Sequence, residues 1–402
     1  MDGWVGGGNR ANRETAAGTR TTPSAPWRLL SSRRAVSALL ALAVITLVFA
    51  GCYHSTERTS YISLRIIGGR GRGPQCYSSP TADPSDGAWR KTQGGVQDSP
   101  AFTGNLDGTW DRVGFQRCRD RWARDHPGEG PQPYWEWEPS TCRLDEVDAA
   151  KFCRVMKGRK GLLLVGDSLT QYMSVTLAAV LRAEVIGSET GPFSNYFSAC
   201  GGKLRYAALR NDFLDTRTTG FDDRHCEHPD ASDTRCVVFA KDSVLAEFDT
   251  LVVNSGAHRM AGGLEAFRTR MDKSSEELTA SMKRLHGNDA ILVVRNTTPG
   301  HWGCSRRIFN GPVDREVAAA IIARGPAEYE WSKIAEKNKI LEEAFSPDLG
   351  WRVLDAYSPT YVRADAHRGE GDCLHYCIVG PIDHWVTLLY NILLDERGRL
   401  GK

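Results

Sequence analysis

The 402-residue chain lacks an excess of charge of either sign: 51 Lys and Arg residues stand against 49 Asp and Glu residues, a formal net charge of +2. Nucleic-acid-binding proteins usually cluster basic residues on one face or element, and this balance does not indicate such a partner. The chain also lacks an internal repeat, which argues against a repeat architecture. Long apolar runs are nearly absent as well, with one exception at residues 35–51.

That apolar run predicts a membrane anchor. It contains no charged residue and is close to the roughly 20 residues that a bilayer-spanning helix needs. Six arginines precede it against two acidic residues, so the positive-inside rule places the N-terminus in the cytosol and the rest of the chain on the luminal or external side. A cleaved signal peptide is the alternative, because Phe49-Ala50-Gly51 ends the run in small residues, but the preceding charged region is long for one.

The cysteines agree with a luminal address. Of the eleven, Cys52 lies at the membrane edge and ten follow it, an even number that indicates up to five disulfides in an oxidising compartment, with the pairing left open. A zinc site is the alternative. The close group of Cys373, His375 and Cys377 lacks a second pair at finger-like spacing, so no metal site is predicted.

Composition divides the chain into segments. Residues 53–107 are rich in Gly, Ser, Thr, Pro and Arg, which predicts a flexible luminal stem. Residues 108–153 are dense in aromatics and cysteines and predict a small disulfide-pinned N-terminal subdomain, whose aromatic rings either are buried or stack on sugars. The predicted order is a cytoplasmic tail (1–34), a transmembrane signal anchor (35–52), the stem (53–107) and one folded domain (108–402).

Beyond Cys153, apolar strand-like runs alternate with helical patterns. Strands are predicted at 162–165, 250–253, 290–294 and 351–354, and helices at 169–181, 264–285, 327–345 and 381–394. Such alternation is typical of parallel βαβ units, so we predict an α/β fold, a three-layer α/β/α domain around a parallel sheet. The segment 187–240 interrupts the pattern and is predicted to be an irregular insertion near the site.

Gly166-Asp167-Ser168 joins the first of these strands to the first helix. A serine at this turn lies at the carboxyl edge of the sheet, where α/β folds bind ligands, and at a helix N-terminus, where free N–H groups stabilise an oxyanion. The alternative is that Asp167 or Ser168 only caps the helix. The motif alone does not decide between a nucleophile and a cap.

A second motif near the C-terminus supplies what a serine nucleophile needs, a base and a group that orients the base. Asp372 and His375 are three residues apart, so in a turn-like segment the carboxylate holds one imidazole nitrogen while the other faces Ser168. Cys373 and Cys377 are expected to hold this segment through disulfides. A surface turn with a solvated histidine is the alternative.

Together these motifs resemble the SGNH hydrolase superfamily: Gly-Asp-Ser after the first strand, a block with Gly and Asn after another strand, and Asp-x-x-His before the last helix. More narrowly, five ordered blocks are similar to those of the trichome-birefringence-like (PC-esterase) polysaccharide O-acetyltransferases, across about residues 108–394. They begin at Tyr134, Met156, Phe248, Arg295 and Asp372.

The resemblance implies a Golgi type II membrane enzyme that moves acetyl groups onto polysaccharide hydroxyls through a serine acetyl-enzyme. Ser168 is then the nucleophile, His375 the base and Asp372 its orienting acid. The oxyanion donors expected from the family are the Ser168 N–H, a glycine and an asparagine side chain. These positions fall on Gly201 or Gly202 and on Asn254.

Three further polar residues near the motifs are candidates for contact with the donor or the sugar: Arg295, His258 and His301. Each has a structural alternative, a buried ion pair for Arg295 and a packed histidine for the other two. The resemblance further implies a polysaccharide acceptor and an acetyl donor such as acetyl-CoA as co-substrate, without a tightly bound cofactor. Thr170-Gln171 departs from the Asn-Arg pair that is usual in plant members, which leaves the acceptor open.

Three functions remain compatible with the sequence: acetyl transfer to a sugar hydroxyl, carbohydrate ester hydrolysis by the same triad, and non-catalytic polysaccharide binding. Exclusion of water from the acyl-enzyme separates the first two, and sequence does not show it. The presence of Ser168, Asp372 and His375 together argues against the third. Acetyl transfer is the predicted function.

Overall fold

The computed structural model describes residues 73–79, 81–102, 115–188, 195–217, 237–306, 309–327, 329–369 and 371–401. The predicted cytoplasmic tail, the predicted signal anchor and the predicted stem up to residue 72 lie outside these residues. Within the described ranges, every helix is too short or too polar to cross a membrane.

The strands are β1 (Gly87–Lys91), β2 (Trp135–Pro139), β3 (Leu162–Gly166), β4 (Glu184–Ser188), β5 (Asn195–Ala199), β6 (Leu204–Arg210), β7 (Thr250–Val253), β8 (Ile291–Arg295), β9 (Trp351–Leu354), β10 (His367–Gly369) and β11 (Asp372–Tyr376). The α-helices are α1 (Phe115–Asp125), α2 (Ala149–Val155), α3 (Ser168–Leu181), α4 (Asp242–Leu245), α5 (Gly263–His286), α6 (Arg315–Ile322), α7 (Ile334–Ala344), α8 (Tyr357–Thr360) and α9 (Pro381–Arg399).

A seven-stranded sheet in the order β4-β5-β6-β3-β7-β8-β9 forms the centre of the fold. The strands from β6 to β9 in that order are parallel, whereas β4 and β5 add antiparallel pairs at one edge. Strand β3 pairs with β6 on one side and with β7 on the other. Because the carboxyl ends of parallel strands share one edge, the residues that follow β3, β6, β7 and β8 meet there.

Both faces of the sheet are covered. Leu162 and Leu164 of β3 belong to the apolar cluster that includes α3 and α9, while Leu163 and Val165 belong to the cluster that includes α5 and α7. Alternate side chains of a strand point to opposite faces, so helices lie on each side of the sheet. The predicted α/β class is confirmed, and the sheet that was expected to be parallel is mostly parallel, with the antiparallel strands β4 and β5 at one edge.

The four strands predicted after Cys153 are present, each within one residue of its predicted bounds. Three of the four predicted helices begin within one residue of their predicted starts. The fourth, predicted at 327–345, begins only at Ile334, because a 3₁₀ turn at Trp331–Lys333 precedes it. Helices α4, α6 and α8 have no counterpart in the predicted pattern.

The prediction of an irregular insertion at 187–240 is wrong for part of that segment. Strand β6 lies within it and pairs with β3 at the centre of the sheet, and β5 lies beside β6. The sequence of β6, Leu-Arg-Tyr-Ala-Ala-Leu-Arg, has neither a continuous apolar run nor strict alternation, so the periodicity that marks the other strands is weak here.

The predicted stem ends earlier than residue 107. Strand β1 pairs with β2, a disulfide joins Cys76 to Cys142, and Val96 and Ala101 are buried. Ser99 donates a hydrogen bond to Asp383 of α9. The boundary at residue 108 is therefore wrong, because described residues before it, within 73–79 and 81–102, already pack on the domain through contacts that composition does not reveal.

The aromatic-rich N-terminal segment is pinned by disulfides, as predicted: Cys118 pairs with Cys377, and Cys142 with Cys76. Of its aromatic residues, Tyr134 and Trp137 are buried. For these two side chains the buried alternative is correct.

Candidate active site

The turn between β3 and α3 leaves the Ser168 hydroxyl available. Asp167 is the N-cap of α3, and its Oδ1 accepts the Leu169 N–H at 2.9 Å. A Cβ at position 166 would lie 2.8 Å from the Asn254 carbonyl oxygen, so only glycine allows the turn to approach β7 this closely. Asp167 therefore provides the helix cap, and the Ser168 hydroxyl is not needed for capping.

The structure brings together the three residues of the predicted triad. His375 Nε2 lies 2.7 Å from Ser168 Oγ, and His375 Nδ1 lies 2.9 and 3.0 Å from the two carboxylate oxygens of Asp372. Asp372 Oδ1 also accepts the backbone N–H of His375 at 3.0 Å. Asp372 and His375 lie on β11 rather than in a turn. The Asp372 carboxylate contacts the imidazole ring of His375, three residues further along the same strand.

The charge state of Asp372 fixes the direction of these hydrogen bonds. Burial raises the pKa of Asp372, but hydrogen bonds and charge attraction from His375, with a further contribution from Arg368, outweigh it and lower the pKa to about 2. An ionised carboxylate only accepts, so His375 Nδ1 carries the proton in the neutral ring. Nε2 then accepts from the Ser168 hydroxyl, which is the arrangement that a general base requires.

Two residues that the motifs did not reveal hold this base. The Tyr172 ring stacks on the His375 ring, with centroids 4.8 Å apart and planes inclined by 20°. Arg368 donates from Nη1 to the Tyr172 hydroxyl and lies 3.5 Å from Asp372 Oδ2. The one available signal was spacing, because Tyr172 is four residues after Ser168 and thus on the same face of α3.

Disulfides fix both sides of the histidine. Cys373 pairs with Cys304 and Cys377 with Cys118, as expected for cysteines that flank the Asp-x-x-His motif. The zinc alternative at this segment is wrong, because both thiols are bonded to other cysteines. A hydrogen bond reinforces the first of these links, since the His301 N–H donates to the Cys373 carbonyl oxygen at 2.9 Å.

The predicted oxyanion glycines are wrong. Gly201 and Gly202 form the turn between β5 and β6, at the amino end of β6, and a Cβ at either position would meet nothing within 4 Å. Because β6 runs parallel to β3, this turn lies at the edge where β3 begins, whereas Ser168 follows its end. The length of β3, about 15 Å, separates the glycines from the nucleophile.

Asn254, the other predicted oxyanion donor, lies directly beside the nucleophile turn. It follows β7 and is fully buried, and its backbone N–H donates to the Val165 carbonyl oxygen at 2.9 Å. The side-chain Nδ2 donates to the Arg295 carbonyl oxygen at 3.0 Å, and Oδ1 accepts from Thr170 Oγ1 at 3.4 Å. The residue is thus at the correct edge of the sheet with its amide bonded to the backbone, and its role as an oxyanion donor stays a prediction.

The predicted contact of Arg295 with donor or sugar does not agree with its position, because its side chain is fully buried beneath the turn. Its Nη2 donates to Thr170 Oγ1 at 3.0 Å and lies 3.8 Å from Asp167 Oδ1. Burial lowers the pKa of Arg295 to about 10, although the charge of Asp167 opposes this shift. The guanidinium also lies over the Trp385 ring, 4.9 Å from its centroid. The buried ion pair, the alternative for this residue, is correct.

The two candidate histidines differ. His301 is fully buried, donates from Nε2 to the Tyr361 carbonyl oxygen at 2.8 Å and packs on His367, and burial lowers its pKa to about 4. It is a structural histidine, so its assignment to substrate is wrong. His258 follows β7 at the carboxyl edge, with its side chain 13% exposed and Nε2 3.2 Å from the buried Asp212. Its contact with substrate stays a prediction.

Comparison with known proteins supports the resemblance. No family model matches the chain. The chain is 22% identical over 377 residues to Protein trichome birefringence-like 18 of Arabidopsis thaliana, an alignment that covers 80% of this chain and 67% of that protein. It is 23% identical over 367 residues to Xyloglucan O-acetyltransferase 1 of Arabidopsis thaliana, covering 78% and 80% of the two chains.

A third relative, Protein trichome birefringence-like 41 of Arabidopsis thaliana, is 24% identical over 291 residues, which cover 65% of this chain and 79% of that protein. The alignments to the first two relatives extend over most of the chain, in agreement with the five ordered blocks of its sequence. The chain is therefore a distant relative of the trichome birefringence-like proteins and the xyloglucan O-acetyltransferases.

Proposed function

We propose that this protein transfers acetyl groups to the hydroxyls of a polysaccharide through an acetyl-enzyme on Ser168, as an SGNH-type acyltransferase. Relatives named xyloglucan O-acetyltransferases support polysaccharide O-acetylation at the level of the family. The observation that carries the mechanism is the continuous hydrogen-bonded series from Asp372 through His375 to Ser168. It supplies a nucleophile, a base and an orienting carboxylate in the required order.

In the first half-reaction, Ser168 Oγ attacks the carbonyl carbon of the acetyl donor while His375 Nε2 takes the hydroxyl proton. The resulting imidazolium is stabilised by the ionised Asp372, which already accepts the Nδ1 proton. Collapse of the tetrahedral intermediate breaks the bond to the leaving group, which receives the proton from Nε2. The product is an acetyl ester on Ser168, with His375 neutral again.

In the second half-reaction, a sugar hydroxyl takes the place of the leaving group. His375 Nε2 accepts its proton as the sugar oxygen attacks the acetyl carbonyl, and then returns that proton to Ser168 Oγ as the ester bond breaks. The acetyl group ends on the sugar oxygen. The same groups act in both directions, so the reaction needs only an activated acetyl donor and an acceptor.

The developing oxyanion needs preorganised donors. Ser168 is the first residue of α3, and the N–H groups of a first helical turn have no partner within the helix. We assign one donor to the Ser168 N–H on this basis. Asn254 remains the second candidate because it lies beside the turn, and it would contribute only if its amide turned away from the Arg295 carbonyl oxygen.

We place the catalytic domain on the luminal side of the Golgi membrane, behind a signal anchor at residues 35–52. Disulfides such as Cys118–Cys377, which joins residues 259 apart in sequence, support an oxidising compartment. The charge asymmetry around the apolar run supports the type II orientation.

The experiment incubates the purified full chain with an activated acetyl donor, acetyl-CoA or p-nitrophenyl acetate, and oligosaccharides of xyloglucan, xylan, mannan or pectin. The expected result is a mass gain of one or more acetyl groups on one oligosaccharide class. Ser168→Ala abolishes the gain. Ser174→Ala is the matched control, because this serine lies on the same helix and donates to the Gln171 carbonyl oxygen of that helix.

Loss of acetyl from pre-acetylated oligosaccharide, without gain on the unmodified one, would instead identify a carbohydrate esterase. Binding without either reaction would identify a polysaccharide-binding protein. Acetyl transfer that survives Ser168→Ala would refute the mechanism, whichever polysaccharide is the acceptor.

A further inference from the structure

Trp302 is unusual among the tryptophans of this protein. In the part of the chain that the structure describes it is the exposed one, with 47% of its surface accessible, whereas Trp331, Trp351 and Trp385 are buried. Exposing an indole to water forgoes the large gain that its burial brings. Single exposed apolar residues are common on protein surfaces, so exposure by itself carries no function. The surroundings of Trp302 give it significance.

The loop that carries Trp302 is held on both sides. His301, immediately before it, is fully buried and bonded to the Tyr361 carbonyl oxygen. Cys304, two residues after it, is buried and forms the disulfide with Cys373. A side chain between two such anchors loses little further backbone freedom when a ligand binds, which lowers the entropic cost of binding.

The same anchors limit the distance between Trp302 and the triad. The His301 N–H donates to the Cys373 carbonyl oxygen, and Cys373 lies between Asp372 and His375 on β11. Summing one Cα step, one hydrogen-bonded pair and two strand residues keeps the Cα atoms of Trp302 and His375 within about 16 Å. That distance is within the span of a short oligosaccharide whose reacting hydroxyl lies at Ser168.

A second exposed aromatic ring, that of Tyr329, is connected through Trp331 to the loop that carries Trp302. Gly300 packs directly on the Trp331 ring, which would collide with any Cβ at position 300. Trp331 in turn stacks on Tyr329, with centroids 5.8 Å apart, and Tyr329 is 36% exposed. The exposed aromatic side chains of Trp302 and Tyr329 are thus both connected to the loop that contacts β11. Two exposed aromatic rings that are connected to one loop suit an extended ligand better than a single small molecule.

We propose that Trp302 forms an acceptor subsite, in which its indole face stacks on a pyranose ring of the polysaccharide at a position removed from the acetylated hydroxyl. The C–H groups on one face of a pyranose carry partial positive charge and are apolar in contact, which matches the electron-rich face of an indole. The inference rests on the proposed function. It adds the residue that positions the sugar chain relative to Ser168.

The test measures binding separately from chemistry. In the Ser168→Ala background of the full chain, calorimetry with a xyloglucan oligosaccharide gives the Kd with and without Trp302→Ala. The expected result is a Kd raised about tenfold by Trp302→Ala, with Trp302→Phe retaining most of the affinity because it keeps an aromatic face. Ile186→Ala, an exposed apolar residue of β4 at the edge of the sheet, is the matched control and leaves the Kd unchanged.

With Ser168 intact, Trp302→Ala should raise the KM for the oligosaccharide by a similar factor and change kcat much less. An unchanged Kd and KM in a folded Trp302→Ala protein would overturn the subsite while leaving acetyl transfer by Ser168 in place. Absence of acetyl transfer in the wild type, with the Kd still dependent on Trp302, would instead overturn the enzyme and keep the subsite. If the wild type binds no xyloglucan, xylan, mannan or pectin oligosaccharide, the subsite is refuted.

Discussion

Asp372→Asn is the sharpest test of His375 as the base, because the carboxylate of Asp372 has two effects on His375 and the substitution perturbs both. The first effect is electrostatic: the negative charge stabilises the imidazolium that forms as Ser168 loses its proton. The second effect is geometric: an acceptor at 2.9 Å keeps the proton on Nδ1 and leaves Nε2 free to act as a base. Asparagine removes the charge and can present a donor in place of the acceptor.

The structure gives a scale for the electrostatic part. The pKa of Asp372 falls from 3.8 to about 2, which corresponds to about 2 kcal/mol in favour of the ionised carboxylate, and the hydrogen bond from the His375 side chain is the largest of the contributions that lower this pKa. A loss of that size at the imidazolium lowers the rate by about 30-fold to 60-fold. If the amide also selects the wrong tautomer, the loss extends to about 10⁴-fold, the size seen when the equivalent change is made in a serine protease triad.

The assay compares kcat/KM for acetyl transfer in the wild type, Asp372→Asn and the exposed control Asp348→Asn, each shown to be folded by its thermal unfolding. We expect a loss of at least about 30-fold for Asp372→Asn and none for the control. Activity of a folded Asp372→Asn protein within about threefold of the wild type would refute the assignment of His375 as a base oriented by Asp372.

Three further predictions concern the ring that stacks on His375, the buried ion pair beneath the turn and a buried carboxyl group of α9. Tyr172→Leu removes the ring that stacks on His375 and should lower kcat/KM about tenfold, whereas Tyr172→Phe, which keeps the stack, should lose less; equal losses would contradict the positioning role. Arg295→Met leaves Asp167 buried without its ion pair and should lower the free energy of unfolding in urea by about 3–5 kcal/mol, and a loss under about 1 kcal/mol would contradict this. Burial raises the pKa of Asp383 to about 7, although the Ser99 hydrogen bond lowers it. The folded state therefore binds the Asp383 proton more tightly than the unfolded state does. The contribution of Asp383 to the free energy of unfolding should fall as the pH rises from about 4 to about 7. Asp383→Asn should remove that component, measured as the difference in unfolding free energy from wild type at each pH, and a pH-independent difference would contradict it.

The part of the site that sequence predicted is the part that is local in sequence. Ser168 stands at a strand-to-helix turn that periodicity alone locates, and Asp372 is three residues from His375, so each half of the triad is contained in a short motif. Their meeting at 2.7 Å depends on the tertiary fold, which brings β11 to the carboxyl end of β3. The family blocks, rather than the spacing, indicated that the two halves belong together.

The parts that sequence missed depend on contacts between distant segments. Arg368 of β10 donates to the hydroxyl of Tyr172, which is 196 residues away on α3, and no spacing along the chain indicates that contact. The family resemblance implies Gly201 or Gly202 as an oxyanion donor, yet the reversal of direction between β5 and β6 puts their turn at the opposite edge of the sheet. Sequence order does not specify to which edge of a sheet a turn belongs.

Burial was the other property that sequence left open. Arg295 and His301 are polar residues beside motifs, and such residues equally contact substrate or satisfy hydrogen bonds inside the fold. Their surroundings decide the matter, because a fully buried side chain does not reach a polysaccharide in solvent. Trp302, which follows His301 directly, is exposed. Alternation of this kind within one loop is set by tertiary packing and has no signature in composition.

The most direct test of the central claim is to identify the acetylated residue. The full chain is incubated with an activated acetyl donor without acceptor, quenched in acid, digested and sequenced by mass spectrometry. The account predicts one acetyl ester on Ser168 in the wild type, which disappears when acceptor oligosaccharide is added before the quench, and none on that peptide in Ser168→Ala. Acetyl on another residue of a catalytically active protein would contradict it. The account is also contradicted if a protein that transfers acetyl in the presence of acceptor carries no acetyl ester on Ser168 when acceptor is withheld.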